Sequence, residues 1–244
     1  MDQLTIFSDD RLITGCIYCG GLADTRDHVP SRIFLDPPFP TNLPVLPACF
    51  ECNNGFSADE EYVACLVESA IAGSTNPECF RRPRVGTILK RSPALRARIE
   101  QAKYDDGTIT GFQVEVERLK NVILKLARGH VAYELSLPCR KEPKLISCTP
   151  LPSMSDEEKD TFDEGHVPTM LDEIGSRGQQ RTLVIQMALG SNIEGTPKPE
   201  TFLFIDWVEV QENLYQYLTF KENDEIVVRI LLGGYLACEV IWDV

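Results

Sequence analysis

The sequence predicts an α+β protein: a zinc-stapled N-terminal module followed by a larger α+β domain with an antiparallel sheet. Three observations predict it. Two cysteine pairs, Cys16-Ile17-Tyr18-Cys19 and Cys49-Phe50-Glu51-Cys52, stand in a stretch rich in Pro, Gly and Asn, where metal and turns must supply the order. Apolar residues then recur at helical spacing in Ser57–Gly73 and Leu119–Leu137. The C-terminal part reads as a series of short strands.

Residues 1–15 form a short lead-in. A CxxC turn sets two thiolates on one side of a metal, and two such turns complete a closed tetrahedral site, so Cys16, Cys19, Cys49 and Cys52 are the expected ligands of a structural Zn²⁺. The span between the pairs suits a zinc-pinned hairpin whose far end meets a helix. Ser57-Ala58-Asp59-Glu60 reads as a cap and acidic first turn, and the helix is expected to begin a few residues earlier, at the second pair. Ser74–Pro83 is a turn-rich linker that divides a module of residues 1–75 from a domain of residues 76–244.

Ser92-Pro93 starts the next helix, since Pro at the first helical position follows a capping Ser. An Asp105-Asp106-Gly107 turn leads into an alternating strand, Thr108–Glu117. Gly129 is a weak point in the helix expected over Leu119–Leu137. Residues 154–175 are acidic and aperiodic, a surface excursion with one helical turn. Strands are expected at Thr182–Met187, Thr201–Val210, Tyr215–Thr219, Glu225–Leu231 and Tyr235–Trp242.

Composition narrows the class. With 43% hydrophobic and 25% charged residues the chain is an ordinary globular protein, and no run approaches the ~20 apolar residues of a membrane span. The first residues carry no basic-then-apolar secretory pattern, so a reducing, cytoplasmic setting is expected, with metal or buried-thiol roles for the nine cysteines. Cys65, Cys79, Cys139, Cys148 and Cys238 are the expected buried thiols.

The net charge is −13, yet residues 81–103 carry eight cations (Arg81, Arg82, Arg84, Lys90, Arg91, Arg96, Arg98, Lys103) against Glu100. That segment is a candidate polyanion footprint on an otherwise acidic molecule, with Arg81, Arg82, Arg84, Lys90 and Arg91 as candidate phosphate contacts. A solvated charged helix is the competing reading.

Inside the cysteine staple stand Asp27-His28-Val29-Pro30, then Asn42-Leu43, and Asn53-Asn54 directly after Cys52. In this order and close to this spacing the residues resemble the HNH endonucleases, the ββα-metal group on a treble-clef zinc scaffold, over about residues 14–60. The resemblance implies His28 as general base, Asn42 as the loop residue orienting it, and Asp27 and Asn53 as ligands of a catalytic Mg²⁺ or Mn²⁺. Asn54 is the alternative to Asn53. The chemistry agrees: histidine is the side chain best suited to accept a proton near pH 7, and a hard cation on one or two protein oxygens keeps positions open for phosphate and water. Asp27 and His28 on an extended segment point to opposite faces. The chain departs from the family after Asn53, where Gly55, Phe56 and Ser57 replace a basic residue.

The expected activity is metal-dependent hydrolysis of DNA, duplex rather than RNA, without a membrane role. Residues 76–244 match no catalytic motif. By fold-level analogy they suggest a bacterial anti-phage or restriction effector controlled by a protein partner or by self-assembly. Lys125, Arg128 and His130 read as cations on a core helix, His166 as a surface residue, and the aromatics Phe202 to Trp242 as core. A zinc-stapled binding module without catalysis explains the four cysteines equally well.

Overall fold

The computed structural model describes residues 13–105, 110–169, 171, 176–188 and 199–244. It is α+β with antiparallel sheets. A short hairpin, β1 (Thr25–His28) with β2 (Val45–Ala48), comes first, and α1 (Phe50–Gly55) and α2 (Ser57–Ala72) follow. Cys49 caps α1 through its Sγ, which accepts from the Cys52 N–H at 3.4 Å; a helix thus begins at the second cysteine pair, but it ends at Gly55, and the longer helix expected to continue from it starts separately at Ser57. Next come α3 (Pro83–Arg91), α4 (Pro93–Gln101), a small hairpin of β3 (Lys103–Asp105) and β4 (Thr110–Phe112), and α5 (Val116–Leu135).

The remaining elements are β5 (Leu145–Pro150), α6 (Asp156–Asp163), α7 (Arg177–Arg181), β6 (Leu183–Ala188), β7 (Pro199–Phe204), β8 (Val208–Gln211), β9 (Tyr215–Glu222), β10 (Glu225–Leu232) and β11 (Leu236–Asp243). Five of these strands form one antiparallel sheet in the order β5-β11-β10-β9-β8, while β6 and β7 pair separately.

Period-two alternation builds the sheet's two faces. Tyr215, Tyr217, Val228, Ile230, Cys238, Val240 and Trp242 enter the main core, whereas Leu218, Phe220 and Val227 lie in a second cluster with Ile205. The main core is packed against α5 through Leu119, Val122, Ile123, Leu126 and Val131. The same helix presents Ala132 and Tyr133 to a third cluster with Cys16, Ile17, Tyr18, Val29 and Leu46. With one face buried against the sheet and another against the hairpin, α5 is the axis between them. At Gly129 a Cβ would sit 2.8 Å from Val29 Cγ2, so glycine there admits the hairpin rather than breaking the helix.

Several expectations change. The main core joins Phe34, Leu35 and Tyr62–Val67 to Val228 and Trp242, so packing runs straight across the boundary expected at residues 75/76. Within Ser74–Pro83 there is a 3-10 turn, Pro77–Cys79, and α3 starts at Pro83 itself. The helix at Ser92-Pro93 is where it was expected. Among the described residues the alternating stretch keeps only β4, because Val114 and Val116 are exposed and α5 begins at Val116. Part of the Asp105-Asp106-Gly107 turn, much of the lead-in and part of the acidic excursion lie outside the described residues. Thr201–Val210 is two strands, broken between Phe204 and Val208. β5 was not anticipated.

His166 is not a surface residue: it is 9% exposed, its ring stacks on Phe220 at 3.8 Å, and its backbone bridges Ile205. Among the expected buried thiols, Cys65 and Cys238 are buried, Cys139 and Cys148 are half-buried, and Cys79 is exposed.

Candidate functional site

The four-cysteine cluster comes together as the spacing predicts. The sulfur atoms of Cys16, Cys19, Cys49 and Cys52 all lie within 4.8 Å of one another. Cys19 Sγ and Cys49 Sγ are 3.7 Å apart. A tetrahedral site with Zn–S of about 2.3 Å needs sulfurs about 3.8 Å apart, so the donors fit a zinc-sized ion. The first turn is closed by Gly20 N–H to Cys16 O and Cys16 N–H to Gly21 O, each 2.8 Å. Gly15 makes this possible, with φ +71° and a Cβ position only 2.6 Å from Gly21 O. Arg140, from the far part of the chain, clamps the turn by donating to Thr14 O and Cys16 O.

Protons are unevenly held among the thiols. Burial alone would raise Cys16, but backbone N–H groups of Cys19, Cys49 and Tyr18 outweigh it and bring the thiol down to about 7. Cys52 is pushed up by burial and by the neighbouring thiols of Cys49 and Cys19. A cluster with one ready thiolate beside reluctant thiols gains most from a cation that draws off the remaining protons.

Hairpin register places the Asp-His pair. His28 pairs with Val45 and Asp27 with Leu46, so consecutive side chains go to opposite faces. His28 is half-buried, and its Nε2 lies 2.7 Å from Arg32 Nη2. Since a guanidinium only donates, Nε2 accepts. Burial, then the Arg32 charge, hold this imidazole below the ordinary histidine range against the upward pull of Asp27. It is therefore a neutral ring at pH 7, in the state that accepts a proton.

Asp27 goes inward. It is 6% exposed, its Oδ2 accepts from the Tyr18 hydroxyl at 2.7 Å, and Lys125 Nζ is 2.9 Å away. Asn53 is held on β1, its amide donating to Arg26 O at 3.2 Å and Thr25 Oγ1 at 3.4 Å, while Asn54 is exposed. Of the two, Asn53 is tied to the strand that carries His28. Asp27 and Asn53 as arranged do not fit the expected Mg²⁺ or Mn²⁺ site, because the carboxylate is already neutralised by a lysine.

The partner of the His28 ring in this structure is Arg32. Asn42 sits in the turn before Leu43-Pro44 and lines a cavity of about 150 Å³ with Tyr133, Arg177, Arg181 and Glu209. The basic segment is also redrawn. Arg82 is not a phosphate contact: it is 5% exposed, chelates Asp36 at 3.0–3.2 Å and donates to Ile33 O and Leu35 O. Arg81 pairs with Glu68 and donates to Gly233 O, and Lys90 pairs with Glu78 at 2.6 Å. Arg84 is exposed, lies 5.3 Å from the Phe39 ring and donates to Arg32 O; Arg91 is exposed.

Sequence reasoning missed Arg26, Arg32, Glu60 and the role of Lys125. Arg26 could have been found, since it lies two residues before His28 on a strand and so shares its face, where it is exposed. Lys125 could not, because its partners are distant in sequence. His130 is fully buried, with Nε2 2.7 Å from the Tyr215 hydroxyl and its ring stacked on Tyr217 at 3.7 Å. Arg128 bonds to Arg140 O and Lys141 O.

No family model matches this chain, and neither a curated protein nor a solved structure matches it. Among the described residues no helix is long and apolar enough to cross a membrane.

Proposed function

We propose that the chain is an HNH-type endonuclease that hydrolyses DNA phosphodiester bonds, with His28 as general base on a treble-clef-like scaffold stapled by zinc. What supports this most is His28 itself: a neutral, half-buried imidazole at the end of a hairpin joined to the four-cysteine cluster, with a guanidinium at 2.7 Å. Arg26 and His28 share a face of β1, and the guanidinium groups of Arg32 and Arg84 each lie near the Phe39 ring, at 5.5 and 5.3 Å. These cations give the scissile phosphate a local seat on an acidic molecule.

The residues divide the work as follows. When a phosphate arrives, Arg32 moves its donor from His28 Nε2 to a phosphate oxygen. The freed lone pair then takes a proton from the attacking water as the water oxygen bonds to phosphorus; the bond from phosphorus to the leaving sugar oxygen breaks, and that oxygen takes a proton from solvent. Burial and the Arg32 charge, which lower the proton affinity of His28, keep that lone pair free to accept a proton. Asn53 and Thr25 hold β1 against α1, so that His28 is aimed by two bonded elements rather than by a loop.

The second reading is a zinc-stapled nucleic-acid- or protein-binding module. The carboxylate of Asp27, engaged by Tyr18 and Lys125, favours it. Plasmid incubated with the zinc-loaded chain in Mg²⁺, in Mn²⁺ and in EDTA separates the two. Nicking that needs a divalent ion supports the enzyme, whereas a gel shift without nicking in any condition supports the module.

A further inference from the structure

Two of the thiols outside the zinc cluster face each other across the sheet. Cys148 lies on β5 and Cys238 on β11, and the antiparallel register makes them direct partners. Directly opposed residues project to the same face of a sheet. Here that face packs the main core, where Cys238 is 1% exposed and Cys148 is half-buried. Both are free thiols. Because β5 is an edge strand of the five-stranded sheet, Cys148 is the thiol nearer solvent.

The backbone ladder decides whether two such thiols can bond. In an antiparallel pair, hydrogen-bonded and non-hydrogen-bonded partners alternate, and the second kind brings side chains closer, with Cα atoms about 4.5 Å apart. Leu151 N–H donates to Tyr235 O at 2.7 Å, which marks that pair as a hydrogen-bonded one. Counting back along the register, Pro150 with Leu236 is non-hydrogen-bonded, Thr149 with Ala237 is bonded, and Cys148 with Cys238 is non-hydrogen-bonded. Pro150, which has no N–H to give, agrees with this phase. A disulfide needs Cα atoms about 4.4–6.8 Å apart and side chains directed at one another, and a non-hydrogen-bonded cysteine pair meets both conditions.

We infer that Cys148 and Cys238 are an oxidation site, a cross-strand pair that a peroxide converts into a disulfide joining the edge strand β5 to β11. Burial, with the Cys148 thiol beside it, holds the Cys238 thiol well above the ordinary range, so Cys148 is the sulfur that reacts first. Its sulfur attacks one peroxide oxygen, the O–O bond breaks, and water leaves Cys148 as a sulfenic acid. Cys238 sulfur then attacks Cys148 sulfur. The S–S bond forms, the S–O bond breaks, and the departing hydroxide takes the Cys238 proton as a second water. Two thiols are thereby oxidised by the two electrons that reduce one peroxide. The bond closes a loop that holds α6, α7 and β6 to β10, and closing a long loop stabilises chiefly by constraining the unfolded chain.

The test uses the full chain in saturating zinc, reduced and then treated with equimolar hydrogen peroxide. Free thiols are blocked, the chain is cleaved with trypsin without reductant, and the peptides are weighed. Leu145–Lys159 carries Cys148 as its sole cysteine, and Ile230–Val244 carries Cys238 as its own. A species of their summed mass less two hydrogens therefore identifies the bond. It is expected in treated wild type and should vanish on reduction with a phosphine. The oxidised protein should also unfold in urea at a midpoint higher by roughly 1 M, a rise absent from Cys148→Ala treated alike. Both thiols still free after treatment overturn the inference, as does Cys148 found as a sulfinic acid or linked to Cys139 instead. A linked protein whose urea midpoint does not rise, or an equal rise in Cys148→Ala, overturns it too. Should Cys148→Ala fail to fold, the linked peptide and the wild-type midpoint before and after reduction decide between the same outcomes.

Discussion

His130 makes the protein lose stability in acid, by an amount that can be worked out. The ring is fully buried, with one hydrogen bond, to Tyr215, and Nδ1 without a partner. Burial, then the Arg181 charge, push its pKa down to about 3, against about 6.5 in an unfolded chain. Above pH 6.5 the ring is neutral in both states and contributes no pH dependence. As pH falls from 6.5 towards 3, only the unfolded chain takes up the proton, so stability is lost across that window. One proton is worth about 1.4 kcal/mol per pH unit, so at pH 5 the loss is about 2 kcal/mol. His130→Phe keeps the stack on Tyr217 but cannot titrate. It should cost roughly 1–2 kcal/mol at pH 7.5, through the Tyr215 hydroxyl left without its partner. Between pH 7.5 and 5 it should then lose about 2 kcal/mol less than wild type. Urea unfolding of both proteins at both pH values, in saturating zinc, measures this difference of differences. Equal losses in the two proteins would refute the argument, since carboxylates such as Glu134 are common to both.

Other consequences follow from the same geometry. Cys52→Ser should abolish zinc retention and unfold the hairpin region, as zinc sites of this kind supply folding energy; a zinc-free variant with the wild-type melting curve would contradict it. Arg82→Ala should destabilise by about 3 kcal/mol, because it strips Asp36 and two carbonyls of their donor, whereas the exposed Lys90→Ala should stay within about 0.5 kcal/mol; urea midpoints compare them. Arg26→Ala with Arg84→Ala should weaken binding evenly across DNA sequences and flatten the log–log salt dependence by roughly 0.9 per lost phosphate contact. An unchanged slope would place the footprint elsewhere.

The four-cysteine site is legible in the sequence because each pair closes within a single turn and the metal-ligand spacing is local. The same holds for α5, whose apolar spacing persists for several turns, and for the strand-rich end, although Ile205–Trp207 interrupts one expected strand. Ser155-x-x-Glu158 is a full capping box, so the two turns of α6 were readable and a single turn was too short. What pattern cannot reveal is where cations spend their charge. Arg82 and Arg91 look alike in a basic run, yet one chelates Asp36 in the interior and the other faces solvent. Lys125 and Glu60 look like charges on amphipathic helices, and only the meeting of α2 with α5 makes them partners of Asp27. His166 looks exposed because acidic residues surround it in sequence, while Phe220 covers it in space.

The most direct measurement is plasmid nicking by His28→Ala beside wild type, in Mg²⁺ or Mn²⁺, with zinc content and melting recorded for each. Loss of nicking with zinc still at about one per chain and an unchanged melting curve is the predicted result. Nicking at the wild-type rate by the folded, zinc-loaded variant would contradict the assignment of His28 as the base.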